Sequence, residues 1–145
     1  DPQLGDVSNT CLEYGDPCLV DLTRGWKMNL SANGEKQLSK PVTILGTTFF
    51  TTYVPGNDPD QSACEPAEGG GRLYAVSFLN ASAKKNYDTT TSELERYTEL
   101  TSSGIPAEVV PIPEDLILRP DGNFENVGGT ARIETFWFEQ EDSDL

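Results

Sequence analysis

Residues 41–54, Pro-Val-Thr-Ile-Leu-Gly-Thr-Thr-Phe-Phe-Thr-Thr-Tyr-Val, carry no charge and are dominated by β-branched and aromatic side chains. Such side chains are stiff at χ1 and pack well on a pleated surface. Proline is tolerated at the first residue of a strand, and Gly46 permits a tight turn. The stretch therefore predicts a hairpin, with strands over 40–46 and 47–54. This one segment commits the chain to β structure.

The rest of the sequence agrees. In Gly25-Trp-Lys-Met-Asn-Leu30, Trp26, Met28 and Leu30 fall on one face, as in a half-buried strand. Residues 72–79 are apolar on both faces, with Tyr74, Val76 and Phe78 on one and Leu73, Ala75 and Leu79 on the other, which predicts a central strand. Further strands are expected over 96–101, 107–113, 115–119 and 130–138, with a turn at Asp121-Gly122. Ser92-Glu-Leu-Glu95 matches a capping box, so a helical turn competes there. Residues 55–71 and 80–95 read as loops. Residues 1–24 are a turn-rich, cysteine-containing loop. Residues 139–145, with four acids in seven positions, are a solvated tail. The expected fold is all-β: about eight short antiparallel strands in two groups, 25–79 and 96–138. Four strands per group suit two propeller blades within residues 25–138, and a β-sandwich fits the same count.

Composition limits the chemistry. The 145 residues contain no histidine, which excludes Ser–His–Asp and Cys–His catalysis and His-ligated metal sites. With 24 Asp+Glu against 10 Lys+Arg, the net charge is −14. That charge repels phosphate backbones and anionic lipids, so no nucleic-acid partner is expected. No run of apolar residues is long enough for a membrane span. No signal peptide begins at Asp1, so a secreted protein would carry its signal upstream.

The three cysteines are Cys11, Cys18 and Cys64. Gly15 and Pro17 let the intervening loop bend, so a Cys11–Cys18 disulfide is the preferred pairing. Cys64 could instead pair with Cys18, or with a cysteine outside this chain. Three thiolates without histidine make a poor zinc site.

Several motifs together resemble the closing end of the β-propeller of the PilY family of type IV pilus-associated proteins. They are Gly25-Trp-Lys-Met-Asn-Leu30, Gly34-Glu35-Lys36, Pro41-Val42, Gly46-Thr-Thr-Phe-Phe-Thr-Thr-Tyr-Val-Pro55, Cys64 with Gly69-Gly70-Gly71, Leu73-Tyr74-Ala75, Ser103-Gly-Ile-Pro106 and Phe136-Trp-Phe138. They fall in the family's order across residues 24–139, although Phe138-Glu139 stands where Arg-Glu is usual. Nothing resembles the family's adhesive N-terminal domain. The resemblance implies a secreted, non-catalytic segment acting in pilus biogenesis and surface attachment. It would be located outside the cell, on the surface or the pilus, after passing through the periplasm. Its implied partners are the rest of the same protein and pilin or minor pilins. Isolated blades expose sheet edges, so self-association is also expected.

No catalytic, cofactor-binding or metal residues are assigned. Calcium has weak candidates in Asp58 and Asp60, and in Asp121, Asn123 and Glu125, where the glycine is out of place for a calcium loop and a hairpin turn is the better reading. A carbohydrate- or calcium-binding extracellular β-module is the alternative function. Trp26, Phe49, Phe50, Tyr74, Phe78 and Trp137 could form a sugar-stacking platform, but such residues on strands are expected in the core. Carboxylate pairs such as Glu93/Glu95 and Glu139/Glu141 arise by chance in so acidic a chain. Gly69-Gly70-Gly71 lacks the following Lys-Ser/Thr of a phosphate loop and reads as a flexible connector.

Overall fold

A computed structural model describes residues 4–13, 15–56, 68–113 and 115–128. The expected strand at 130–138, the tail 139–145, Cys64, Asp58 and Asp60 lie outside the described residues.

The described chain is all-β, with ten strands and no helix among the described residues: β1 (Gly5–Asp6), β2 (Trp26–Lys27), β3 (Lys36–Gln37), β4 (Val42–Ile44), β5 (Thr47–Val54), β6 (Gly70–Ser77), β7 (Tyr97–Ser103), β8 (Val110–Ile112), β9 (Leu116–Leu118) and β10 (Phe124–Asn126). The hairpin predicted from 41–54 is present. β4 and β5 pair antiparallel with Ile44 opposite Thr47, leaving the two-residue turn Leu45-Gly46. Both residues have positive φ, 48° and 76°, as a turn matched to strand twist requires.

β5 lies between β6 on one edge and β3 and β4 on the other, and β7 closes the sheet beyond β6. β3 and β4 are two pieces of one edge strand. Pro41 supplies no N–H, and in the gap the Ser39 hydroxyl replaces the ladder: Oγ accepts from the Thr51 amide at 2.9 Å and donates to the Thr51 carbonyl at 3.2 Å. At the opposite edge β7 bulges. Gly70 pairs with Ser103 and Arg72 with Glu99, so three residues of β7 face one of β6. A broken strand at one edge and a bulge at the other both resist edge-to-edge pairing.

The period-2 pattern of β5 and β6 decides where the core sits. Phe49, Leu73 and Ala75 point to one face and join Leu100, Val109, Ile117 and Val127. Phe50, Tyr74 and Val76 point to the other and join Val7, Cys11 and Ala81, with Trp26, Met28 and Leu30 packed alongside. The two-faced reading of 72–79 therefore holds from Leu73 to Val76. It fails at Phe78 and Leu79, which lie past the end of β6 and are 59% and 75% exposed. Burying Phe49 and Leu73 completely contributes about 1.5–3 kcal/mol each.

Each face has its own cover. The first is covered by a small antiparallel sheet in the order β8–β9–β10. The second is covered by the N-terminal segment, where β1 and β2 pair in parallel, Gly5 with Trp26 and Asp6 with Lys27. The segment before Gly25 is irregular, but it is packed: Val7 is wholly buried and Cys11 is 2% exposed.

Three expectations need correction, and one competing possibility drops out. The strand at 97–103 belongs to the first sheet, paired with β6, and does not open a second group. The expected strand 25–30 has only two ladder residues because its partner, β1, is that short, although Trp26, Met28 and Leu30 do share the inward face. No helical turn forms at 92–95; Glu95 instead bridges Lys85. Gly70 and Gly71 are not a flexible connector but the first residues of β6. Gly69 has no room for a side chain, since a Cβ there would meet the Val54 carbonyl oxygen and lie 2.5 Å from the Tyr53 ring.

Candidate functional site

Three clusters of charged side chains organise the molecule. The most buried lies on the N-terminal face of the sheet. The turn after Leu30 delivers Glu35, whose Oε2 accepts the Ala32 amide at 3.0 Å, the reciprocal hydrogen bond of a tight turn. The carboxylate then reaches across β5 and β6. Thr52 Oγ1 donates to it at 2.6 Å, the Tyr74 hydroxyl at 2.9 Å and Arg72 Nη1 at 3.0 Å. The Glu35 side chain is fully buried, and that of Arg72 is 14% exposed. Arg72 also lies over the Tyr97 ring, 4.3 Å from its centroid, and Tyr74 stacks on Phe50 at 4.8 Å with 7° between the planes.

Burial alone would raise the Glu35 carboxyl, but the hydrogen bonds from Thr52, the Ala32 amide and Tyr74, with Arg72 beside it, hold it below its ordinary value. Burial, reinforced by the bond to Glu35, pushes the Tyr74 hydroxyl up. A carboxylate held ionised is a weak proton acceptor, and a phenol held neutral is a weak nucleophile. The arrangement is that of a lock between the turn and the sheet. Beside it, a cleft of about 210 Å³ is lined by Val54, Pro55, Gly71, Arg72, Glu99 and Leu100.

The second cluster centres on Arg96, just before β7. Its guanidinium donates to the carbonyl oxygens of Val7 and Thr10 at 2.9 Å, Cys11 at 3.1 Å and Ser8 at 3.3 Å. Four carbonyl dipoles of one loop thus converge on a single cation, and burial pulls its pKa below the usual arginine value. The same loop is closed by the disulfide between Cys11 and Cys18, whose Cα atoms are 4.8 Å apart. The preferred pairing of the sequence is the one found. The disulfide fixes the shape of the N-terminal loop, and Arg96 fastens that loop to the sheet.

The third cluster lies on the β9–β10 hairpin, which carries three of the calcium candidates. Asp121 Oδ2 is 3.0 Å from Arg119 Nη2, and Asp121 Oδ1 accepts the Asn123 amide at 3.2 Å. Glu125 is 3.4 Å from Arg119 and 3.6 Å from Lys85, and accepts the Tyr87 hydroxyl at 3.3 Å. Asp121 and Asn123 therefore lie in the turn and Glu125 in β10, and both carboxylates face protein cations. Among the described residues no group of three or more Asp, Glu or Cys could hold a metal ion.

Of the aromatic residues considered for sugar stacking, Phe49, Phe50 and Tyr74 are core. Trp26 packs against the second core and donates its indole N–H to the Phe78 carbonyl at 2.9 Å. Phe78 is exposed and Trp137 lies outside the described residues. Sequence reasoning missed Glu35, Arg72, Arg96 and Arg119. The usable signal was a charge next to, or inside, an apolar strand: Arg72 before Leu73-Tyr74-Ala75, and Arg119 after Leu116-Ile-Leu118.

No helix among the described residues is long and apolar enough to cross a membrane. No family model, curated protein or solved structure matches the chain.

Proposed function

We propose that this chain is a non-catalytic, structural and adhesive segment of a secreted, PilY-type protein, acting in type IV pilus biogenesis and surface attachment. The motifs from Gly25-Trp26 to Phe136-Trp-Phe138 support the family. The up-and-down order β4–β5–β6–β7 is the order a propeller blade uses, and β8–β9–β10 supplies three strands of a second such unit.

The observation that carries the reading is the outward face of the second sheet. Ile117 points inward to the core. Its neighbours point the other way, so Val110, Leu118 and Phe124, which are in register, form a cross-strand row, with Ile112 and Leu116 beside it. Val110 is 49% and Phe124 67% exposed. An apolar sheet face suits a neighbouring β-sheet of the same protein, the contact that blades make. Pilin or minor pilins are the further partners, and the Cys11–Cys18 disulfide suits an oxidising compartment.

The test is cellular. Antibodies raised against the 145-residue chain are expected to label purified pili and to detect the full-length protein in the sheared pilus fraction. Finding the protein only in the cytoplasm, with none in that fraction, would contradict the proposal.

A further inference from the structure

Three turns meet at the end of the sheet where β5 begins and β6 ends. The β4–β5 turn presents Leu45. The turn leaving β6 presents Phe78 and Leu79. The chain just past the disulfide presents Leu19, the residue after Cys18. Hydrogen bonds tie them together: the Phe78 amide donates to the Gly46 carbonyl at 2.9 Å, and Asn80 Nδ2 donates to Cys18 Sγ at 3.3 Å. The four side chains are nevertheless left in solvent, Leu19 at 84% exposure, Leu79 at 75%, Phe78 at 59% and Leu45 at 44%.

Two features set this tip apart from the rest of the surface. The first is charge. The chain's net charge is −14, yet 41–54 and 73–83, the two stretches that present Leu45, Phe78 and Leu79, contain no ionisable group other than tyrosine, while Leu19 lies between the exposed Asp16 and Asp21. The second is conformation. Leu45 holds φ at 48°, a region where glycine or asparagine is ordinarily found. The turn therefore carries an apolar side chain that neither its backbone nor its exposure favours.

We infer that this tip is a docking surface for the interface of an uncharged, zwitterionic lipid bilayer, into which Leu19, Leu45, Phe78 and Leu79 insert. Area and charge select this occupant. At roughly 200 Å² for each fully exposed large apolar residue, the four side chains together expose on the order of 500 Å², within the range of the largest apolar patch of a monomer and short of the ~800 Å² per partner of a stable protein–protein interface. Insertion needs only the tips of the side chains, and its strength scales with the apolar groups immersed. The uncharged turns that carry Leu45, Phe78 and Leu79 meet no penalty at a zwitterionic surface, whereas the acidic body, with Asp16 and Asp21 beside Leu19, is repelled by an anionic one. The disulfide and the hydrogen bonds between the turns hold the tip in shape, so little order is lost on binding. The inference does not rest on the pilus reading.

The test is flotation of the intact chain with vesicles of pure phosphatidylcholine, and with vesicles containing phosphatidylglycerol. Co-flotation with the first and reduced co-flotation with the second is expected. Leu79→Asn is expected to weaken partitioning about tenfold. Leu45→Asn is expected to do the same while melting at the same or a higher temperature, because asparagine tolerates positive φ; this separates binding from folding. Failure to float with phosphatidylcholine, or flotation of both variants like the parent, would overturn the inference. So would a dimer in light scattering that either variant abolishes, since that would assign the tip to a second copy.

Discussion

Glu35 and Arg72, 37 positions apart, meet at 3.0 Å with the carboxylate fully buried between them. The pair joins the turn after Leu30 to the middle of the sheet, and it shares its partners with Thr52 and Tyr74. A buried ion pair contributes little net stability, but removing one partner strands the other. Glu35→Ala leaves the Thr52 and Tyr74 hydroxyls without their acceptor and takes from Arg72 its buried partner, leaving it Ser31 Oγ at 3.1 Å and Glu99 at 3.7 Å, and is expected to cost about 2–3 kcal/mol in urea denaturation. The paired change with Arg72→Met is expected to cost less than the two single changes added together, because each removes the reason for the other.

The same carboxylate gives a pH signature. Its pKa is lower in the folded chain than its ordinary value of 4.5. A depressed carboxyl contributes stability that is present above the unfolded pKa and is lost as pH falls through the folded one. Asp6, Asp21 and Asp88, held low by hydrogen bonds from Ser8, Thr23 and Thr90, act in the same direction. Urea midpoints measured from pH 7 to pH 3 are therefore expected to fall on the acid side of 4.5, with a shallower fall in Glu35→Gln. Equal slopes in the two proteins would contradict the role given to Glu35.

The Cys11–Cys18 loop is small, with a sequence separation of 7. Closing a loop of that size stabilises by about 2–3 kcal/mol through the unfolded chain. Replacing both cysteines by alanine is expected to lower stability by that amount, and to make the N-terminal segment the first site of limited proteolysis. Arg96 still holds the Val7, Thr10 and Cys11 carbonyls, so the segment is expected to loosen rather than detach.

Adjacent glycines separate close packing from flexibility. A Cβ on Gly69 meets the Val54 carbonyl and the Tyr53 ring, whereas one on Gly70 meets nothing within 4 Å. Gly69→Ala is expected to cost about 2–3 kcal/mol. Gly70→Ala is expected to stay within about 0.5 kcal/mol. Thermal melts of the two variants check this directly.

The contrast between these glycines shows what the sequence could convey. β5 and the core of β6 were legible because a period of two puts Phe49 and Phe50, or Leu73 and Tyr74, on opposite faces whatever the rest of the chain does. The Leu45-Gly46 turn was legible for the same local reason. Strand pairing was not, because nothing near Tyr97 says that β7 lies beside β6. Nor did Gly34-Glu35-Lys36 look buried: a glutamate after a turn is normally solvated, and only Arg72, Thr52 and Tyr74 together make its burial tolerable. The three glycines looked loose because a glycine required by a close approach has the same letter as one that merely bends. β10 was missed because Phe124-Glu-Asn126 is too short to show a pattern.

The central claim is that one sheet is buried on both faces, by the N-terminal segment on one side and by β8–β10 on the other. Native-state amide hydrogen exchange tests it most directly. The amides of Phe49–Thr52 and Leu73–Val76 are expected to exchange slowest of all, and more slowly than those of Val110–Ile112 and Leu116–Leu118. Exchange of the β6 amides as fast as those of β9 would contradict it.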